Sequence, residues 1–97
     1  MNAFFDTLAK LELDDATEYY DAEIPGLGLK FREEVRRAVL RICEYPEAWA
    51  KEKNDVRRYL LHKFPYKILY SIESDYIYII AVAHCHRKPE YWIERIS

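Results

Sequence analysis

Basic and aromatic side chains are concentrated in the second half of this 97-residue chain. The set comprises Arg57, Arg58, Lys63, Lys67, His84, His86, Arg87, Lys88, Tyr91 and Trp92. Such residues can hold RNA by pairing cations with phosphates and stacking rings on bases, and His or Tyr can transfer protons during cleavage. The same set also fits a solvated strand edge with Tyr91 and Trp92 packing the tail. Residue type alone favours this structural interpretation.

His84, Cys85 and His86 raise the question of a metal site or a thiol nucleophile. Two histidines separated by one residue point to the same side of a strand, and imidazole is a common zinc ligand. No second ligand pair at a suitable spacing accompanies them, and a Cys85 facing the core would be inert. We therefore predict no metal site and no cofactor, and we expect Cys43 and Cys85 to be two reduced thiols.

Charge is distributed unevenly along the chain, whose net charge is −2. Residues 1–55 carry 8 basic and 13 acidic side chains, whereas residues 56–97 carry 7 basic and 4 acidic ones. The second half is therefore the electropositive one, and the acidic average does not exclude a nucleic-acid target. The length fits one domain over residues 1–97. Without a bilayer-spanning apolar run or a signal-peptide pattern, we expect a cytoplasmic location and no membrane partner.

The first half predicts two helices. Asp6 is a suitable N-cap for a first helix that ends near Glu23. Residues 24–28 contain one proline and both glycines of the chain and break the helical pattern. Apolar residues then recur at helical spacing, which predicts a second helix over residues 29–44. Because the connection is short, the two helices should form an antiparallel hairpin.

The second half predicts strands. Three segments rich in Tyr, Ile, Leu and Val lie at residues 57–63, 66–73 and 76–85. Residues 2–5 are a candidate for a further short strand, and residues 46–55 are predicted to be a polar loop held by Trp49. The predicted fold class is α+β, with an N-terminal helical hairpin packed on a small antiparallel β-sheet.

A two-residue turn at residues 74–75 would place Glu73 opposite Tyr76 and sort the strand residues into two faces. The face expected to receive the helices collects Tyr66, Ile68, Tyr70, Ile72, Ile77, Ile79, Ala81, Ala83 and Cys85. The other face collects Lys67, Leu69, Ser71, Glu73, Tyr76, Tyr78, Ile80, Val82 and His84. Its apolar patch would either bind another chain or be covered by the Trp49 loop or the C-terminal tail. A register slip of one residue would exchange the faces.

Several strings in order resemble the ParE/RelE toxin superfamily. They lie at residues 16–20 (ATEYY), 25–31 (PGLGLKF), 45–47 (YPE), 57–70 (RRYLLHKFPYKILY), 79–84 (IIAVAH) and 87–92 (RKPEYW). The resemblance covers nearly the whole chain. It implies a helical hairpin on an antiparallel sheet, a type II toxin, and a small antitoxin that wraps the toxin. The antitoxin would then bind the apolar patch of Leu69, Tyr78, Ile80 and Val82.

The resemblance implies one of two mechanisms. RelE-like members cut messenger RNA on the ribosome, and the residues suited to that role here are His84, His86, Arg87 and Tyr91. ParE-like members act on DNA gyrase without a known hydrolytic residue. Lys67 stands where RelE-like toxins place a catalytic arginine, and an ammonium cannot reproduce the fork of a guanidinium on phosphate. Cys85 stands where another cation is expected.

The tail at residues 87–92 and the overall acidic charge favour the ParE-like branch, with DNA gyrase as the target. The residues expected to contact the target or a nucleic acid are Arg57, Arg58, Lys63, Lys67, Arg87 and Trp92. One alternative is a RelE-like endoribonuclease with the ribosome and messenger RNA as partners. Another is an inactive homologue that still binds an antitoxin but no longer harms cells.

Overall fold

A computed structural model describes residues 1–96 of the chain. The elements are β1 (Asn2–Phe5), α1 (Thr7–Glu23), α2 (Leu27–Glu44), β2 (Lys51–Lys53), β3 (Val56–Leu60), β4 (Tyr66–Ile72), β5 (Tyr76–His84) and a short 3-10 helix (Ile93–Ile96). The sheet order is β1-β5-β4-β3-β2. Strand β1 is parallel to β5, and the other pairs are antiparallel. The predicted α+β fold is confirmed. Strand β1 is the candidate strand at residues 2–5 and makes the sheet mixed, whereas β2 lies within the segment predicted to be a polar loop.

The start of α1 follows the prediction. The Asp6 side chain accepts a hydrogen bond from the backbone N–H of Leu8 at 2.9 Å, which satisfies one of the free donors at the helix start. The helix ends at Glu23, as expected.

Helix α2 starts two residues earlier than predicted, because Gly28 lies within it rather than in the connection. Gly26 precedes the helix with a φ of 90°, a conformation that glycine adopts without strain. A Cβ atom on Gly28 would lie 2.4 Å from the backbone oxygen of Thr17. The backbones of the two helices therefore meet at Gly28, whose N–H donates to Asp21 Oδ1 at 2.8 Å.

The helical hairpin covers one face of the sheet, called here the helical face. Its core includes Ala9, Phe31, Val35, Ala38, Ile42, Tyr59, Ile68, Tyr70, Ile77, Ile79 and Val82. Phe31 lies among three other aromatic rings, those of Tyr20, Phe64 and Tyr66, with centroids 5.0–5.3 Å away. Trp49 joins this core by packing on Tyr59 at 4.8 Å, so it does not cover the opposite face.

A β-bulge changes the register in the middle of β5. The backbone N–H of Glu73 donates to the carbonyl of Tyr76, so the predicted turn is present. Further along, Tyr70 lies opposite Ile79 but Leu69 lies opposite Ala81, which leaves Ile80 as an extra residue. One extra residue reverses the alternation of side chains for the rest of the strand.

The predicted faces are therefore wrong beyond the bulge. Val82 belongs to the helical-face core, and the ring of His84 packs on that of Tyr66 at 5.1 Å. Ala81 and Ala83 lie on the other face, where they pack with Ile80. Cys85 was expected in the core but is an exposed free thiol, and Cys43 is also free.

The other face of the sheet, called here the tail face, is covered by the chain after β5. Its buried residues are Val56, Leu69, Ile80, Ala81, Ala83 and Trp92, with Tyr78, Tyr91 and Ile93 packed against them. Trp92 is only 1% exposed. The sequence left open whether this apolar face binds another chain or is covered by the chain itself. The structure shows that the C-terminal tail covers it.

Candidate functional site

Glu12 of α1 fixes the C-terminal tail at the end of β5. The Tyr91 hydroxyl donates to Glu12 Oε2 at 2.6 Å, and the Arg95 guanidinium donates to both carboxylate oxygens at 2.9 Å. The backbone N–H of Val82 donates to Oε1 at 3.0 Å. The side chains of Glu12 and Arg95 are only 15% and 11% exposed. We call Glu12, Tyr91 and Arg95 the Glu12 cluster.

The Glu12 cluster also occupies an edge of the sheet. Strand β1 pairs with β5 only as far as Ile79, so on that side the following backbone groups of β5 lack a neighbouring strand. Glu12 accepts from the Val82 N–H, and Arg95 donates to the Ile80 carbonyl at 3.0 Å. Side chains thus supply the hydrogen bonds that a longer β1 would have made.

Tyr91 is held in its neutral form. Burial, and then the hydrogen bond to Glu12, raise the pKa of Tyr91 well above its ordinary value. The guanidinium of Arg87 stacks on the Tyr91 ring at 3.8 Å from the ring centroid. The hydroxyl proton is committed to Glu12, so Tyr91 is poorly placed to accept a proton from a substrate.

The predicted catalytic residues His84, His86, Arg87 and Tyr91 lie at one end of the sheet. The backbone N–H of His86 donates to His84 Nδ1 at 3.1 Å, and the two rings are 5.2 Å apart. His84 and Arg87 line a cavity of about 580 Å³ together with Glu12 and residues of α1. The four residues that the sequence analysis grouped therefore do lie close together. Their roles in catalysis stay a prediction.

Part of the predicted target-binding set is used within the fold. Lys67 Nζ lies 2.7 Å from Glu52 Oε2, and the Arg57 guanidinium donates to the Trp49 carbonyl at 2.7 Å. Arg58 is 3.9 Å from Glu52 Oε1. Trp92 belongs to the tail and is buried against the sheet, so it offers no surface to a target in this structure.

Two further members of that set, Lys63 and Arg87, are exposed. Within residues 1–96, no His, Cys, Asp or Glu group of three or more is placed to hold a metal ion.

The predicted antitoxin-binding residues do not form an open patch. Leu69 and Ile80 are fully buried, and Val82 faces the helices. The Tyr78 hydroxyl donates to Asp6 at 2.6 Å, and this bond, with burial, raises the pKa of Tyr78 to about 12. The premise of exposure was wrong because the tail covers this face. An antitoxin contact at these residues stays a prediction. Contact with Leu69 or Ile80 would require displacement of the tail, and contact with Val82 would require displacement of the helices.

The sequence reasoning missed Glu12 and Arg95. Glu12 is one of several acidic residues in the first helix, where a carboxylate is ordinary. Its partners lie 79 and 83 residues further along the chain. No local spacing connects residues so far apart, so only the three-dimensional arrangement identifies the cluster.

Comparison with known proteins first defines the class of fold. A chain from a solved structure described as "Chromosomal ParDE TA system from P. aeruginosa" matches with a TM-score of 0.77. The match covers 87% of this chain and 95% of that chain at 20% sequence identity. At this identity the likeness establishes a shared α+β architecture.

The family follows from the sequence itself. The family model described as "ParE toxin of type II toxin-antitoxin system, parDE" matches residues 4–89. No curated protein sequence gives a significant match. The chain belongs to the ParE toxin family of type II toxin–antitoxin systems, which confirms the predicted family and its ParE-like branch. No helix within residues 1–96 is long and apolar enough to cross a membrane.

Proposed function

We propose that this ParE-family toxin inhibits DNA gyrase without hydrolysing a nucleic acid, and that a cognate antitoxin neutralises it. The observation that carries the non-hydrolytic part is the hydrogen bond from Tyr91 to Glu12. A general base must be able to accept a proton near neutral pH, and a buried phenol with a raised pKa is unsuited to that task. Tyr91 instead holds the tail on the sheet.

The state of Lys67 supports the same proposal. RelE-like cleavage would need a free cation in the middle of the sheet to stabilise charge on the phosphate. Here the Lys67 ammonium is paired with Glu52 at 2.7 Å, and both side chains are largely buried. A phosphate would have to displace Glu52 before Lys67 could contact it.

The antitoxin part of the proposal is supported by family membership. The matching family is defined as the toxin of a type II toxin–antitoxin pair, and the similar solved chain comes from a ParDE system. We extend this partnership to the chain, with a cognate antitoxin as the neutralising partner. DNA gyrase is proposed as the target because the sequence resembles the ParE-like branch.

The test compares two assays on the purified chain. We expect inhibition of DNA supercoiling by gyrase and no ribosome-dependent cleavage of messenger RNA. Inhibition should persist in His84→Ala and Tyr91→Phe, because neither group takes part in chemistry. Tyr78→Phe is a matched control, since Tyr78 also donates to a carboxylate but lies outside the predicted catalytic set. Messenger cleavage that disappears in His84→Ala or Tyr91→Phe would replace the proposal with the nuclease alternative.

Growth assays test whether the chain is toxic and whether an antitoxin neutralises it. Expression of the chain alone should arrest growth, and co-expression of a short reading frame beside its gene should relieve the arrest. Harmless expression of a correctly folded chain would contradict an active toxin and favour the inactive homologue.

A further inference from the structure

A cavity lined by aromatic side chains lies between α1, the β3–β4 connection and the end of β5, and we call it the tyrosine cavity. Its volume is about 580 Å³, and its lining includes Asp15, Tyr19, Tyr20, Tyr66, His84 and Arg87. Glu12 and Tyr19 both line it from α1, so the cavity extends for about 10 Å along that helix. This length and this volume suit one small organic molecule.

Four rings of the tyrosine cavity contact one another in succession. The ring centroids of His84 and Tyr66 are 5.1 Å apart, and that of Tyr20 lies 6.2 Å from Tyr66. The Tyr19 ring follows at 5.3 Å from Tyr20. Tyr19, at the end of this series, is 59% exposed. Such rings offer planar faces on which another aromatic ring can stack.

The hydroxyl groups of these tyrosines are not used by the fold. Elsewhere in the chain, tyrosine hydroxyls donate to a carbonyl or a carboxylate, as those of Tyr70 and Tyr91 do. Within residues 1–96, the hydroxyls of Tyr19, Tyr20 and Tyr66 make no hydrogen bond. Burial raises the pKa of Tyr20 and of Tyr66, so both keep a proton to donate. A matching ligand therefore combines an aromatic ring with polar atoms.

Arg87 gives the β5 end of the cavity a positive charge. Its guanidinium lies 3.8 Å from the centroid of the Tyr91 ring and makes no ion pair within residues 1–96. A stacked guanidinium is held in place with its N–H groups available to a phosphate. Glu12 lines the same end, but two hydrogen bonds from Arg95 balance its charge. The carboxylate of Glu12 therefore does not exclude an anion.

Asp15 supplies a free carboxylate on the α1 side of the cavity. It precedes Tyr19 by four positions, so the two side chains are neighbours on the helix surface. Asp15 is exposed, and its carboxylate makes no hydrogen bond or ion pair in the part of the chain that the structure describes. A carboxylate can accept two parallel hydrogen bonds. Among the nucleobases, guanine presents two adjacent N–H donors, on N1 and N2, whereas adenine presents one amino group between two acceptors.

We propose that the tyrosine cavity binds a free guanine nucleotide. The base stacks on the Tyr19 ring, the Asp15 carboxylate accepts from its N–H edge, and the Arg87 guanidinium pairs with its phosphate. A purely cationic ligand fits poorly, because Arg87 repels it. The cavity extends over the length of one nucleotide, which favours a free nucleotide over a strand. The nucleotide is bound and not cleaved, so this inference does not depend on the proposed function.

Calorimetric titration of the full chain with guanosine 5′-monophosphate tests the assignment. We expect a dissociation constant below about 1 mM, with guanosine and inorganic phosphate each binding at least about tenfold more weakly. Adenosine 5′-monophosphate should bind severalfold more weakly, since it offers fewer donors to the carboxylate. No binding of the guanine nucleotide, or equal binding of guanosine or of the adenine nucleotide, would overturn the proposal. A short guanine-containing RNA that binds more than about tenfold tighter would assign the cavity to a nucleic-acid strand instead.

Two variants locate the base and the phosphate. Tyr19→Ala should weaken binding of the guanine nucleotide and of guanosine alike, by about tenfold, because it removes the stacking surface. Arg87→Gln should weaken the nucleotide to the level of guanosine and leave guanosine unchanged. Tyr45→Ala and Arg37→Gln are the matched controls at exposed positions outside the cavity. Equal weakening by the control variants would contradict the assigned site.

A third variant tests the choice of base. Asp15→Asn should remove the preference for the guanine nucleotide over the adenine nucleotide, because an amide cannot accept two parallel hydrogen bonds. The side chain is exposed, so the thermal unfolding curve should be nearly unchanged. A preference that persists in Asp15→Asn would overturn the guanine assignment. All titrations use the chain without gyrase, so they are independent of the gyrase assay.

Discussion

The two faces of the sheet are buried by different means. On the helical face, two long helices place many apolar side chains on the strands, with Phe31 among its aromatic neighbours. On the tail face, a segment without long regular elements relies on one tryptophan, Trp92, and on the ion pair between Glu12 and Arg95. The contrast shows that a short segment can cover a sheet face when a largely buried ion pair fixes its end.

The largest expected effect comes from removing the aromatic residue that covers the tail face. Trp92→Ala should reduce the free energy of unfolding by about 3–5 kcal/mol, because it removes a large, fully buried side chain. Urea denaturation followed by circular dichroism measures this, with Phe31→Ala as the counterpart on the helical face. If Trp92→Ala costs less than about 1 kcal/mol while Phe31→Ala shows the full loss, the tail does not contribute to the stable core.

The ion pair of the tail face is tested by Glu12→Gln. This change keeps the side-chain size but removes the carboxylate with which the largely buried Arg95 guanidinium is paired. We expect a loss of about 3 kcal/mol in the free energy of unfolding. Asp14→Asn is the matched control, because it breaks the exposed pair with Arg32 and should cost less than about 1 kcal/mol. Equal effects of the two changes would show that burial adds nothing to the Glu12 cluster.

Alkaline pH should lower the free energy of unfolding through tyrosines on both faces of the sheet. Burial raises the pKa of Tyr70 on the helical face to about 12, from an ordinary value of 10.0. The fold thus favours the neutral phenol, so this stability is fully present below pH 10 and is lost as the pH rises toward 12. Urea unfolding across this range, with phenolate absorbance, should show a decline of about 2–3 kcal/mol from Tyr70 alone.

Tyr70→Phe is the control for the alkaline transition. It removes the hydroxyl that donates to the Pro46 carbonyl at 2.6 Å and should reduce the decline above pH 10. The remaining decline should come from Tyr20, Tyr66, Tyr78 and Tyr91, whose pKa values are also raised. An unchanged profile in Tyr70→Phe would exclude Tyr70 as a cause.

The smallest effect is expected for Tyr91→Phe. Glu12 keeps its bonds to Arg95 and to the Val82 N–H, so the loss should be about 1 kcal/mol, the usual contribution of one hydrogen bond. Thermal unfolding measures this loss, and the same variant serves in the gyrase assay. A loss as large as that of Glu12→Gln would mean that the tyrosine, rather than the ion pair, holds the tail.

The sequence was a good guide to the helical face because helical spacing is a strong signal. Phe31, Val35, Ala38 and Ile42 recur at that spacing, and all four are buried. It was a poorer guide to β5, where residues 79–83 are all apolar. A run without polar residues carries no mark of a bulge, so the reversal at Ile80 could not be predicted.

The sequence also predicted one part of the candidate site and missed another. The basic residues and His84 were found from their types, because cations and imidazoles in one segment are visible in any sequence. The pairing of Lys67 with Glu52 was not, since Glu52 lies in β2, which was predicted to be a polar loop. Short charged strands at a sheet edge lack the apolar alternation on which strand prediction depends.

The distance in sequence between Glu12 and its partners has a consequence for the order of folding. Contacts that join residues 79 and 83 positions apart form slowly, because a long stretch of chain must be ordered before they can form. On a ribosome, α1 emerges well before the residues that bind Glu12, and β1 likewise waits for β5. A nascent chain therefore cannot complete the Glu12 cluster, or the cover of its tail face, until Tyr91 and Arg95 have emerged.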